Sequence, residues 1–345
     1  MTAGSRGADL VHRAGVIAEG LLFPAALRTD RADRVPAGHL EALAEAGLYG
    51  IAGPAAAGGS DCDLSTTCEV IEVLAGGCLS TTFVWIQHHS AVRALTASAN
   101  AELRGRWLPE LCRGRQRAGI ALGGARPGPP LLRASRVPGG WVFDGSAPWV
   151  TGWDLIDVVH TLARDEAGNL VAALLPARES ETLSAARLEL VAVNASRTVE
   201  LSFSSHFVPA GLVSAVFPVA DWMQRDAAGL RPNGSLSLGV AARCGSLIGS
   251  LTGEQAVAAA TGLSRELTDC RAALDAAGPE AMPAARAAAA ELAFRAAGSL
   301  IAAAGSQAVL AGQHPQRLAR ESLFLLVFGS RPAIKASLVD LVWLG

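Results

Sequence analysis

The chain is short of charge, short of aromatic residues and free of paired-cysteine motifs, and each shortage excludes something. Cys62, Cys68, Cys78, Cys112, Cys244 and Cys270 form no CxxC pair and no Cys/His cluster. That argues against a zinc site or a disulfide framework and for thiols kept reduced in a cytosol. Charged residues make up only 17% of the chain and the formal net charge is −2. No global basic field exists to hold nucleic acid or an anionic membrane. Uncharged apolar runs of bilayer length are missing as well. The alanine-rich stretch from 283 is cut by Arg286, Glu291 and Arg295. The N-terminal apolar stretch is cut by Glu19, with no small-residue cleavage pattern after it. The expectation is a cytoplasmic protein without membrane insertion.

What is present is apolar bulk: half of the 345 residues are hydrophobic, enough for a sizeable core spread over two or three domains. With aromatics at 5%, that bulk is largely alanine, leucine and valine, which suits closely packed helices. Three segments differ in period. Residues 8–115 read as helices: Ala37–Ala46 stops at Gly47, Asp63 is placed to cap a helix over Leu64–Leu74, another starts near Ser80, and Asn100 or Ala101 opens the next. After about 116 the pattern becomes β. Gly139-Gly140 precedes WVFDG as a hairpin signal, and Val199–Phe207 alternates apolar with polar residues, the β-pattern ending near Pro209. From about 216 the helical period returns, with Pro232 tolerated at a helix start and Glu291/Arg295 as an i,i+4 pair.

Particular strings carry more information than this order. GLYGIAGPAAAGGSDCDLSTTCEVIEVLA, RGRWLPELCRGRQRAGIAL, GGWVFDGSAPWVTGWDLIDVV, SRTVELSFSSHFVPAGLV, AAGLRPNGSLSLGVAARC and HPQRLARESLFLLVFGS follow one another from about residue 40 to 330. In this order they resemble the signature segments of the acyl-CoA dehydrogenase family. The resemblance implies an α+β multidomain fold: an N-terminal α-helical domain over 1–115, a middle β-barrel domain over 116–215, and a C-terminal four-helix bundle over 216–345. It also implies FAD between the β-domain and the bundle, an acyl thioester of CoA or a carrier protein as ligand, and a homodimer or homotetramer.

The same resemblance singles out residues. Trp149 and Thr151 match the stretch whose aromatic ring and hydroxyl lie against the flavin, and Leu122 and Gly123 match the start of a loop that offers it backbone groups. Past that point the loop reads ARPGPP, without the family's threonine and serine, so Arg126 or Arg133 is left as a replacement phosphate contact. Gly305 and Ser306, with Gln307, are remnants of the motif at the adenine end. Arg231 matches an arginine near the thioester. Trp85, Gln87, His88 and His89 fall on a helix that lines the far end of the acyl pocket, and Asp226 with Arg225 lies about one turn before Arg231.

The sequence departs from the family at the catalytic base. Gly329 stands at one position where members carry the glutamate that removes the α-proton, and Leu230 at the other. Neither side chain accepts a proton. Glu321 aligns with an acidic residue of structural role. Three readings follow. One is a flavoprotein oxidoreductase acting on an acyl thioester with an unidentified base. Another is a flavin-dependent monooxygenase of the same fold, which needs no such glutamate. The last is a non-catalytic or partner subunit of a heteromeric enzyme. An electron-transfer partner or a flavin reductase accompanies the first two.

Overall fold

The computed structural model describes residues 3–329 and 331–344. The N-terminal domain contains α1 (Ala3–Ile17), α2 (Phe23–Arg31), α3 (Ala37–Glu45), α4 (Leu64–Gly77), α5 (Leu79–Thr96) and α6 (Ala101–Cys112), with a π-turn over Ala18–Leu22 joining the first two. Two sequence signals set its boundaries. The Asp63 carboxylate accepts the Thr66 N–H at 2.8 Å, and the Asn100 side chain accepts the Leu103 N–H at 3.0 Å. Each satisfies one amide that a helix start leaves without a partner.

The middle domain is one mixed sheet of β1 (Ala118–Ala121), β2 (Leu132–Val137), β3 (Gly140–Val150), β4 (Val158–Arg164), β5 (Asn169–Pro176), β6 (Leu183–Arg187), β7 (Val199–Pro209) and β8 (Val213–Pro218). The strand order is β6-β7-β3-β2-β4-β5-β8, with β1 added in parallel to β4. Gly139, with φ +81, makes the tight β2–β3 hairpin. The inward residues of β2 to β7, among them Leu132, Phe143, Val159, Val171 and Leu201, gather into one core, so the sheet curls around it. Its two outer strands, β6 and β8, are not paired with each other. β8 extends the β-pattern beyond Pro209, because Val213–Pro218 is a short strand that pairs only with β5.

The helices α7 (Val219–Ala228), α8 (Leu230–Gly249), α9 (Glu254–Ala276), α10 (Met282–Ala304), α11 (His314–Val327) and α12 (Pro332–Leu344) form the C-terminal domain. Its leucine- and alanine-lined core is continuous with that of the N-terminal domain. The tightest contact between the two is glycine on helix: a Cβ at Gly239 of α8 would lie 2.2 Å from the Glu72 carbonyl oxygen of α4. Two helical stretches, Arg6–Arg31 and Met282–Val309, are long and apolar enough to cross a membrane by length and composition, although both carry charged residues. In this fold Leu10, Ala14, Ala289, Ala293 and Leu300 from these stretches are buried in the shared core. All six cysteines are free thiols.

Candidate functional site

The end of β3 presents its residues in an unusual way. Val150 is buried in the sheet core, whereas Trp149 is 53% exposed and has φ +66. A bulky L-residue adopts that region only against steric cost, a kind of strain that concentrates at ligand sites. The cause is local: the β3–β7 register slips between Ala147 and Val150. Such a bulge re-aims a side chain, and here the indole stands out of the sheet. Next to it Thr151 is buried. Its hydroxyl lies 3.2 Å from that of Thr198, which lies 2.8 Å from that of Ser196. The Gly152 and Trp153 amides donate to the Ser196 and Arg197 carbonyls, so the strand end is held on a hydrogen-bonded shelf.

Leu122 and Gly123 come to this strand end. A Cβ on Gly123 would lie 2.3 Å from the Ser146 carbonyl oxygen, so only glycine permits that approach, three residues from Trp149. The loop beyond is ordered by a residue the sequence reading did not single out. Arg164 donates from Nε to the Gly124 carbonyl at 2.7 Å, from Nη1 to Gly128 at 2.9 Å, and from Nη2 to Arg126 at 2.6 Å. Arg133 is exposed.

Arg231 sits elsewhere, in a buried ion network between the helical domains. Its Nε donates to Asp275 at 2.7 Å and its Nη1 to the Ser235 hydroxyl at 2.7 Å, while Nη2 lies 3.8 Å from Glu72. Arg271 clamps the other Glu72 oxygen from Nε at 3.0 Å and Nη2 at 2.8 Å. Burial raises the Glu72 carboxyl above its ordinary value even against these arginines.

Trp85, His88 and His89 are buried in this structure. Trp85 is fully buried, edge-on to His89 at 4.5 Å. His88 accepts the Ala118 N–H on Nδ1 at 3.1 Å and meets Tyr49 edge-on, which ties α5 to the first strand of the sheet. Gln87 donates back to the Phe83 carbonyl at 3.2 Å. Two surface cavities, of about 420 and 610 Å³, are lined by none of these residues and by neither Trp149 nor Arg231.

The positions without a base are now defined. Leu230 is buried at the start of α8. Gly329 adopts φ +62 after α11. The turn around it is held by arginines. Arg331 donates from Nη1 to the Gly329 carbonyl at 2.9 Å and grips Asp226 of α7 with Nε at 2.6 Å and Nη2 at 2.7 Å. Asp226 is therefore occupied, and Arg225 lies over the Phe217 ring. Glu321 is buried against Arg317 at 2.6 Å. Gly305, with φ +63, begins the turn that ends α10, and Ser306 and Gln307 on it are exposed. Among the described residues, no group of His, Cys, Asp or Glu is arranged to hold a metal ion.

A helical domain, a curled mixed sheet and a helical bundle in this order define the acyl-CoA dehydrogenase fold. The profile of the acyl-CoA dehydrogenase N-terminal domain matches residues 9–115. The benzylmalonyl-CoA dehydrogenase of Aromatoleum aromaticum is 28% identical over 194 residues, covering 54% of this chain and 52% of the relative. The chain thus spans about half the length of that curated relative. Butyryl-CoA dehydrogenase from Megasphaera elsdenii superimposes with a TM-score of 0.86 at 14% identity, covering 100% of this chain and 99% of the other. A glutaryl-CoA dehydrogenase from Mycobacterium smegmatis, solved in complex with FADH2, gives 0.84 at 16% identity over 98% of this chain and 95% of the other. Residues 9–115 match the acyl-CoA dehydrogenase N-terminal domain, and the chain as a whole has the acyl-CoA dehydrogenase fold.

Proposed function

We propose that this chain is a flavin-dependent oxidoreductase that takes an acyl thioester, on CoA or on a carrier protein, with FAD as its cofactor. The carrying observation is Trp149, a strained and half-exposed indole held out beside a fixed threonine shelf. An exposed aromatic of that size is a natural wall for a planar ring system. Residues at the ring end fit the group: Trp149 and Thr151 would face it, and Leu122 and Gly123 would supply backbone contacts. The adenine end is less well furnished, with Gly305 and Ser306 on an exposed turn. When bound, flavin supplies a two-electron acceptor, or in its reduced form a partner for oxygen.

The chain's own residues bear on the choice between the two redox readings. Desaturation requires a group that takes the α-proton within hydrogen-bond reach. Gly329 and Leu230 offer none, Glu72 is clamped by Arg271, and Glu321 is paired with Arg317. This favours, as a second reading, flavin-dependent monooxygenation of the same ligand class with a flavin reductase as partner. Val309, Val327, Val339 and Val342 stand exposed on the bundle, which supports assembly into a homodimer or homotetramer, or pairing with a homologous subunit.

The absorbance spectrum of the isolated protein, before and after acyl-CoA, tests the proposal. Flavin bands bleached by acyl-CoA alone support dehydrogenation. Bands that bleach only with an external flavin reductase, followed by oxygen uptake, support monooxygenation. A colourless protein that takes up no flavin on reconstitution overturns both and leaves the partner-subunit reading.

A further inference from the structure

The cleft of about 420 Å³ lies between the N-terminal domain and the sheet. One wall is the start of α3 with the residues leading into it, Arg34, Pro36 and Ala37. The other is Arg117, just ahead of β1, and the loop 154–157 that leads into β4. Val35, Leu40 and Ile156 give the cleft a buried apolar back. A concave space with an apolar lining and a few convergent polar groups is the usual form of a small-molecule site. None of the residues of the Trp149 shelf lines it.

The charges around this space do not cancel. The Arg117 guanidinium stands 5.9 Å from the centre of the Tyr49 ring, and its Nε is buried without a partner. Among the described residues no carboxylate lies within 4.0 Å of that guanidinium. On the facing wall Arg34 has only Asp33, at 3.6 Å. That carboxylate is shared, because Arg187 is bonded to it and Arg197 lies 3.4 Å away. Asp154 is paired with Arg197. Asp157 spends one oxygen on the Arg117 backbone N–H at 2.7 Å and has no cationic partner among the described residues. Four arginines thus meet three aspartates, a surplus of one positive charge. The first turn of α3, which follows Pro36 and has no capping side chain, adds the same sign. A guanidinium partly withdrawn from water is normally matched by an anion, because desolvating an unpaired charge is costly.

We propose that this cleft binds a small organic monoanion, a carboxylate on a short apolar body. Arg34 and Arg117 take the charged end, and the wall of Val35, Leu40 and Ile156 takes the hydrocarbon. Planar paired oxygens match a guanidinium edge. A surplus of one charge suits a monoanion, whereas a phosphate dianion would also meet the unpaired Asp157. The site joins the N-terminal domain to the sheet, and its 154–157 wall begins three residues after Thr151. The proposal does not depend on flavin.

The test is a calorimetric titration of the purified full-length chain with sodium hexanoate, against hexylammonium chloride and hexanol at matched ionic strength. Hexanoate is expected to bind saturably, and neither control is expected to do so. Arg34→Gln and Arg117→Gln are each expected to weaken hexanoate binding by about tenfold, the loss of one hydrogen bond to a charged group. Asp157→Asn keeps an acceptor for the Arg117 N–H and removes the opposing charge, so it is expected to tighten binding by about threefold. Arg34 is exposed, so its variant reads out the site even where Arg117→Gln fails to fold. Three results overturn the proposal: no saturable hexanoate binding, hexanoate held by Arg34→Gln as tightly as by the parent (binding elsewhere in the chain), or weaker binding in Asp157→Asn.

Discussion

Arg331 and Asp226 form a two-pronged ion pair, with two nitrogens of the guanidinium at 2.6 and 2.7 Å from the two carboxylate oxygens. The pair joins the start of α12 to α7 across the turn that carries Gly329. Both side chains are partly open to solvent, so the link is worth little more than a good surface bridge. Asp226→Asn is expected to cost about 1 kcal/mol in denaturant unfolding. A loss several times larger would mean that the pair anchors the whole turn.

Arg231 separates a substrate-binding role from a structural one. It is buried, with Asp275, Ser235 and Glu72 around it. Arg231→Ala leaves Glu72 with one arginine fewer and is expected to destabilise the chain by about 3 kcal/mol, the lower range for breaking a buried pair. An Arg231→Ala protein of unchanged stability that has lost thioester binding would return this arginine to the ligand.

Trp149 is expected to behave in the opposite way. Half of it is already in water, and its backbone is strained. Trp149→Gly is expected to leave Tm unchanged or raise it slightly, because glycine accepts the left-handed conformation without steric cost. Flavin retention on gel filtration is expected to fall at least tenfold. Retention equal to the parent protein would exclude the indole as the ring wall.

Acid sensitivity follows from the buried histidines. His88 has its pKa lowered to about 3 and His160 to about 4, both chiefly by burial. Both are thus neutral in the folded state, while the unfolded chain binds protons near the ordinary value of about 6.5. Their contribution is complete above that value and is lost as the pH falls from about 6.5 toward the folded values, with a slope of about 1.4 kcal/mol per pH unit for each group. Among the described residues, neither nitrogen of His160 has a hydrogen-bond partner. His160→Leu is therefore expected to lose less stability than the parent between pH 6.5 and 5 in urea titrations. Parallel curves would show that His160 does not titrate on unfolding.

The α4–α8 contact admits no side chain at Gly239. Gly239→Ala is expected to cost about 2–3 kcal/mol, the upper range for overpacking, because the Cβ meets backbone and not a flexible side-chain end. A neutral result by thermal or urea unfolding would show that the helices separate freely.

The amino-acid sequence by itself determined the features set within a few residues. Asp63 and Asn100 cap helices from their own first turns. Gly139 turns a hairpin, and the alternation over 199–207 marks a strand with one buried face. These local signals, with the ordered family strings, made the three-part fold legible. β8 escaped because its pairing with β5 is what makes it a strand. The site divides along the same line. Trp149 was legible as a residue, but its outward turn comes from a register slip against β7. Arg231 was legible as a residue, but its partners on α4 and α9 were not, and Glu72 and Arg271 of that network are 199 positions apart. Arg286 looked from the sequence like an interruption of an apolar run. Packing of α10 against the end of α11 alone decided that its charge is buried against the Phe328 carbonyl. Local propensity acts over one or two turns, whereas desolvation and charge pairing depend on which distant segments meet.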